Sequence, residues 1–211
     1  MKTLQIGGIL CVAMLMALTL LVMNKRTDAL EMDWVRWAIA TRGPQVTAII
    51  QVITFLTSAT PALVFCVGAG IFDWRVRRDS LWRLAWPVLA FCGALGSNIA
   101  LRVLIGRLRP QVEYIPNQFP ELTASFQKFS FPSGHAGSAT IACFCWVAVL
   151  WCFRRVRWIA LALALLIWLG SGFGRFYLGV HWPTDVVGGY ALAGAWLCAV
   201  LVWLRQRISN G

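Results

Sequence analysis

Six long apolar stretches decide what this chain can become; they run over residues 4–23, 46–72, 84–105, 135–153, 158–173 and 185–204. A bilayer's hydrocarbon core is about 30 Å thick and takes about twenty helical residues to cross. No water reaches the backbone there, so each crossing segment must satisfy its own polar groups as a helix. The fifth stretch is the shortest of the six. Hydrophobic residues make up 59% of the 211-residue chain and charged residues only 13%. A soluble domain of that size has no interior large enough for so much apolar surface. The expectation is an all-α polytopic membrane bundle with six transmembrane helices, in one domain over residues 1–211. The first stretch resembles a secretory signal. Its apolar run is about twenty residues, however, and the following "MNKRTD" offers no small-residue cleavage site. It is read as a retained helix.

A net charge of +11 would suit a nucleic-acid binder if the cations shared one patch. Their distribution says otherwise. Lys2, the Arg75/Arg77/Arg78/Arg83 group, the Arg154/Arg155/Arg157 group and Arg205/Arg207 all fall on one side of a six-span chain. That is the positive-inside pattern, so both termini are expected in the cytoplasm and no nucleic-acid partner is expected. Lys25, Arg26, Arg36 and Arg42 oppose the pattern on the outer side; the summed bias decides. The seven cysteines (Cys11, Cys66, Cys92, Cys143, Cys145, Cys152 and Cys198) lie within apolar stretches. None has a histidine at zinc-ligand spacing, and they read as small buried hydrophobes. No metal and no cofactor is expected. The pattern sets no oligomeric state.

Three connections lie on the outer side. In the first, 24–45, Leu30, Trp34, Trp37 and Ala38 recur at helical spacing, with Glu31, Asp33 and Arg36 elsewhere on the wheel. This predicts a short helix lying in the membrane interface. The second, 106–134, carries Pro110, Pro116, Pro120 and Pro132, and Tyr114, Phe119, Phe126, Phe129 and Phe131. A connection that long is a lid, a binding loop or a flexible segment. Its aromatics suit contact with lipid chains and interfacial anchoring equally. The third is 174–184. Within the second apolar stretch, Thr47, Gln51, Thr54 and Ser58 form one polar stripe that should face other helices, with a kink at Pro61.

The outer ends of three stretches hold the chemistry. The third stretch ends "RVLIGRLRP", the fourth begins at "PSGH", and "GRFYLGVHWPTD" precedes the sixth. Together these segments carry Arg102, Arg109, Arg175, Asp185 and both of the chain's histidines, His135 and His181. Arg102 and Arg109 are seven residues apart, so a continuous helix would return them to one face two turns on, about 10 Å along the axis. A cation beside hydrocarbon needs a partner or must snorkel to the interface. Snorkelling is the reading for Arg107. For Arg102 and Arg109 a bound phosphate would supply bidentate partners.

In "PSGH", Ser133 is a preferred N-cap after Pro132, and a helix N-terminus offers free N–H groups to an anion. Gly134 lets a ligand approach the backbone, and His135 stands beside it. In the third segment, His181 and Asp185 are four residues apart. A carboxylate one turn away can fix one imidazole nitrogen and leave the other free to attack, while Arg175 adds another phosphate donor. Each segment alone reads as an ordinary capped helix or surface pair. All three on one face, in a chain with two histidines, read as a site.

This set resembles the type 2 phosphatidic acid phosphatase superfamily. Its signatures are Lys-six residues-Arg-Pro, Pro-Ser-Gly-His, and Ser-Arg-five residues-His-three residues-Asp. Here they read Arg102…Arg109-Pro110, Pro132-Ser133-Gly134-His135, and Gly174-Arg175…His181…Asp185. The departures are Arg102 for the lysine and Gly174 for the serine. The first trades a point charge for a planar fork; the second removes a hydroxyl. The resemblance implies hydrolysis of a phosphomonoester or diphosphate without a metal. His181 would be the nucleophile, Asp185 its support, and His135 the proton donor. Arg102, Arg109, Arg175, Ser133 and Gly134 would hold the phosphoryl oxygens.

A site at the outer face of a bacterial inner membrane would take a lipid phosphate as substrate, with membrane lipids around it. Phosphatidate, phosphatidylglycerophosphate, undecaprenyl diphosphate and a lipid A phosphate all fit. Transfer of the phosphoryl group to a lipid acceptor and non-catalytic lipid binding or transport stay open as alternatives. Six spans argue against a soluble vanadate haloperoxidase, which shares the pattern.

Overall fold

The computed structural model describes residues 1–110 and 128–209. Eight α-helices run through the described residues: α1 Lys2–Met23, α2 Asp28–Ala40, α3 Pro44–Leu56, α4 Ala59–Arg77, α5 Trp82–Ile105, α6 Gly134–Leu150, α7 Arg157–Tyr177 and α8 Pro183–Ser209. Five of them (α1, α4, α5, α7 and α8) are long and apolar enough to cross a membrane. α3 and α6 are apolar but shorter, at 13 and 17 residues.

The stretch 46–72 is not one helix kinked at Pro61. It is α3 and α4, separated at Thr57 and Ser58. Thr57 turns its hydroxyl back to the Ile53 carbonyl (2.8 Å) and shares a 2.9 Å hydrogen bond with Ser171 of α7. Ser58 is extended and occupies the N-cap position of α4. Pro61 therefore lies in the first turn of a new helix, where a missing N–H breaks no intrahelical bond. The polar stripe divides accordingly. Thr54 reaches α7, Thr47 bonds back to Gly43 (2.8 Å), and Gln51 is exposed.

α8 is the central element and packs against α1, α5 and α6; α4 packs on α5 and α6, α6 on α7, and α3 on α7. The core where α4, α5, α6 and α8 meet is lined by small residues, among them Ala62, Ala69, Ala90, Ala94, Ala142 and Ala193. Small side chains let apolar helices approach closely where the surrounding lipid supplies no hydrophobic drive. Cys66 and Cys145 are buried there as expected, but Cys92 and Cys152 are exposed.

Where α4 turns into α5, a charge cluster joins the two helices. Asp73, 2% exposed, accepts hydrogen bonds from Arg83 (3.2 Å) and Trp86 Nε1 (3.1 Å), pairs with Arg77 at 3.3 Å, and Arg83 also pairs with Asp79. Two of the expected loop cations therefore act as fasteners rather than as free surface charge.

α2 buries Glu31, Val35 and Ala38 and exposes Leu30, Trp34 and Trp37. Ala38 thus lies on the opposite face from the tryptophans it was grouped with, and Glu31 points inward.

Candidate active site

α5 ends where Gly106 adopts a left-handed conformation (φ 65°) and returns its N–H to the Arg102 carbonyl at 2.9 Å. Glycine takes this cap without a Cβ clash. The two-turn register expected for Arg102 and Arg109 therefore does not exist, because Arg109 lies beyond the helix. An antiparallel bridge between Leu108 and Phe129 carries it back. Its flanking bonds run from the Arg109 N–H to the Lys128 carbonyl (3.1 Å) and from the Ser130 N–H to the Arg107 carbonyl (2.7 Å). Tyr114, Phe119 and Phe126, with Pro116 and Pro120, lie outside the described residues.

The start of α6 is held from two sides. The Pro132 carbonyl, after a cis Phe131–Pro132 bond, accepts from Arg102 Nε (3.1 Å) and Asn98 Nδ2 (3.0 Å). The Ser133 N–H donates to the Asp185 carbonyl of α8 at 2.8 Å. Ser133 occupies the N-cap position, yet its side chain makes no capping bond. Its hydroxyl is buried and has no hydrogen-bond partner among the described residues. Gly134 follows; a Cβ there would stand 3.0 Å from Arg102 Nη2. Its absence leaves room for the guanidinium against the first turn. His135 is half-buried in that turn.

Arg175, in the last turn of α7, is buried. One of its Nη groups donates to Thr54 Oγ1 of α3 at 2.5 Å, and its Nε has no partner among the described residues. At the neighbouring Gly174 a Cβ would lie 2.7 Å from Ile50 Cγ2. The space a serine side chain would need is therefore filled from α3.

His181 precedes α8 and is fully buried. Its Nδ1 lies 3.4 Å from Asp185 Oδ2, and its Nε2 lies 3.1 Å from Arg109 Nη1, which also donates to the Val180 carbonyl at 2.8 Å. A guanidinium can only donate, so Nε2 is the unprotonated nitrogen and the proton sits on Nδ1, towards the carboxylate. Burial, then the charges of Arg109, Arg102 and Arg175, holds His181 well below the usual imidazole range. Burial and the neighbouring Arg102 bring Arg109 down to about 10, which leaves it charged at neutral pH. Asp185 is itself fixed: Oδ2 accepts from the Trp182 N–H (2.8 Å) and Oδ1 from Arg107 (2.9 Å).

Arg107 does not snorkel. Its side chain is 10% exposed and forms a 2.6 Å ion pair with Glu31 and a 2.9 Å pair with Asp185. It also lies over the Trp182 ring at 5.0 Å. Glu31, 3% exposed, accepts from the Thr184 N–H (2.8 Å) and hydroxyl (2.6 Å) as well. Burial opposes the charge on Arg107, but Asp185 and Glu31 outweigh it and raise its proton affinity. The sequence carried one signal for this link: an acid at the spacing of Val35 and Ala38, on the inward side of an amphipathic helix.

Among the described residues no group of three or more His, Cys, Asp or Glu could hold a metal ion. Arginine donors, a buried unpartnered hydroxyl, a helix N-terminus and a carboxylate-backed imidazole are groups that can hold an anion and offer it a ring nitrogen.

Known proteins resemble this chain in sequence and in fold. The family model described as PAP2 superfamily matches residues 81–209. Phosphatidylglycerophosphatase B of Bacillus subtilis strain 168 is 31% identical over 163 residues, 74% of this chain and 73% of that protein. Phosphatidylglycerophosphatase B of Escherichia coli K12 is 43% identical over 81 residues, which cover 38% of this chain and 30% of that protein's length. Lipid A 4'-phosphatase of Bacteroides thetaiotaomicron is 34% identical over 131 residues, 60% of this chain and 55% of that protein. In three dimensions, the crystal structure of a transmembrane PAP2-type phosphatidylglycerolphosphate phosphatase from Bacillus subtilis aligns with a TM-score of 0.78 at 24% identity, covering 95% of this chain and 96% of that one. The fold is thus that of this transmembrane helical bundle, and the region that the family model matches contains all three signature segments. On these grounds the chain is a member of the PAP2 superfamily.

Proposed function

We propose that this protein is a multi-pass membrane lipid phosphatase that works through a phosphohistidine on His181. The observation that carries the reading is the pairing of His181, with Asp185 on Nδ1 and a guanidinium beside Nε2. Arg102, Arg109 and Arg175, the Ser133 hydroxyl and the Gly134 amide hold the phosphoryl oxygens and stabilise the charge that spreads over them in the transition state. His181 Nε2 attacks phosphorus; the N–P bond forms as the bond to the leaving oxygen breaks. His135 gives that oxygen its proton. Asp185 supports the positive ring through Nδ1–H. In the second step His135 takes a proton from water, the water oxygen bonds to phosphorus, and the N–P bond breaks. Arg109 stands where it can exchange its contact with Nε2 for one with the phosphoryl group.

The positive charge in these steps comes from arginine, so the reaction needs no metal. α1, α3 with α4, α5, α6, α7 and α8 form six spans, and α2 lies in the outer interface with Leu30, Trp34 and Trp37 towards lipid. The basic loops support cytoplasmic termini and a site at the exterior of a bacterial inner membrane. Substrates reach it from the bilayer: phosphatidate, phosphatidylglycerophosphate, undecaprenyl diphosphate or a lipid A phosphate.

Phosphate release by purified protein from that lipid panel, with and without chelator, tests the reading. Turnover should survive chelation and vanish in His181→Ala. An unchanged rate in His181→Ala would defeat the mechanism. Label appearing on a lipid acceptor instead of in free phosphate would reassign the chain as a phosphotransferase.

A further inference from the structure

Asp185 touches His181 on one oxygen and Arg107 on the other, so whatever holds Arg107 also acts on the nucleophile. Arg107 lies in the connection after α5; Glu31 comes from α2, outside the region the family model matches. Glu31 is fully engaged: Oε2 with Arg107 at 2.6 Å, Oε1 with the Thr184 N–H at 2.8 Å and with its hydroxyl at 2.6 Å. The Thr184 hydroxyl accepts in turn from Arg107 at 2.8 Å. Three elements thus close one buried polar chain, Glu31–Arg107–Asp185–His181. Such a network has few alternative arrangements when each member is satisfied.

We propose that Glu31 is a positioning residue that acts through Arg107 to set the negative charge Asp185 presents to His181. The reasoning is electrostatic and rests on His181 being the nucleophile. Attack leaves the His181 ring positive, and Asp185 is the carboxylate at its Nδ1. Arg107 alone would cancel that carboxylate. Glu31 offsets Arg107, so the trio keeps one net negative charge at the imidazole. The other charged and titratable groups facing His181 are cationic arginines and a histidine: Arg102 from α5, Arg109 from the following connection, Arg175 from α7 and His135 from α6. With positive neighbours on those sides, the carboxylate side is where one more negative charge has the greatest effect.

The test uses full-length protein in detergent with the best substrate from the phosphatidate, phosphatidylglycerophosphate and undecaprenyl diphosphate panel, assayed from acid to alkaline pH. Glu31→Gln should lower kcat about tenfold with KM little changed, and move the acid limb of kcat/KM about one pH unit down. Arg107→Gln leaves two carboxylates facing each other and should move that limb up. Glu31→Asp keeps the charge and the limb, and Asp33→Asn on the exposed face of α2 changes nothing. A merely structural role predicts no opposite shifts. If Glu31→Gln does not fold, the upward limb of Arg107→Gln decides. Limbs that stay put, or move the same way, in an enzyme that His181→Ala silences overturn this inference alone. A His181→Ala protein that still turns over, or a wild type that hydrolyses none of the lipids, overturns the phosphatase reading and this inference with it.

Discussion

Gly174→Ser restores the residue type that the family signature carries at this position, and the structure says it will do harm. A Cβ at 174 would stand 2.7 Å from Ile50 Cγ2 and 3.8 Å from Thr54 Oγ1. Ile50 is 4% exposed and β-branched, so its Cγ2 has little rotamer freedom with which to retreat. α3 must then move outward, by several tenths of an ångström at least, at about 1–3 kcal/mol for an overpacked contact. The same helix carries Thr54, which holds Arg175. Activity should therefore fall with stability, with the loss weighted towards phosphate binding.

Ile50→Ala alone opens a cavity and costs about 2 kcal/mol or more. In the double variant the serine enters that space, so its stability should exceed the sum of the two single effects by about 1 kcal/mol or more. Thermal unfolding in detergent gives the stabilities, and lipid phosphate release gives the rates. A Gly174→Ser protein as stable and active as wild type, or two effects that simply add, would refute the packing argument.

Two further substitutions separate stability from chemistry. Ser133→Ala removes a buried hydroxyl that bonds to nothing among the described residues. It should leave the unfolding temperature unchanged or slightly higher, while phosphate release falls about tenfold to a hundredfold if the hydroxyl binds the transition state. Asp73→Ala does the reverse: Trp86 Nε1 and Arg83 Nη1 lose their acceptor while Arg83 keeps its pair with Asp79, which should cost about 1–3 kcal/mol in thermal unfolding with the rate per folded molecule preserved.

Local information along the chain was enough for an all-helical membrane bundle and for the three signature segments that lie inside the family match. Hydropathy counts residues against a bilayer of known thickness, and the three signatures are spaced words that survive without coordinates. What failed was register. The helix over 46–72 breaks at Thr57, and the hydroxyl there bonds to Ser171, 114 residues away, a contact outside any local pattern. Arg109 reaches His181 through a bridge between Leu108 and Phe129 rather than by helical phase.

The charges divide in the same way. The sequence named Arg102, Arg109, Arg175, His135, His181 and Asp185 because each belongs to a short segment with its own pattern. Arg107 and Glu31 belong to none. A buried ion pair is legible only when both partners and the burial are known, and Glu31 lies 76 residues from Arg107 and 153 from Thr184. Desolvation makes an unpaired charge there intolerable, so folding brings the partners together. Chain-local chemistry thus determines which groups are candidates for the site. Long-range packing determines how those groups are charged and aimed, because both depend on distances that no local pattern encodes.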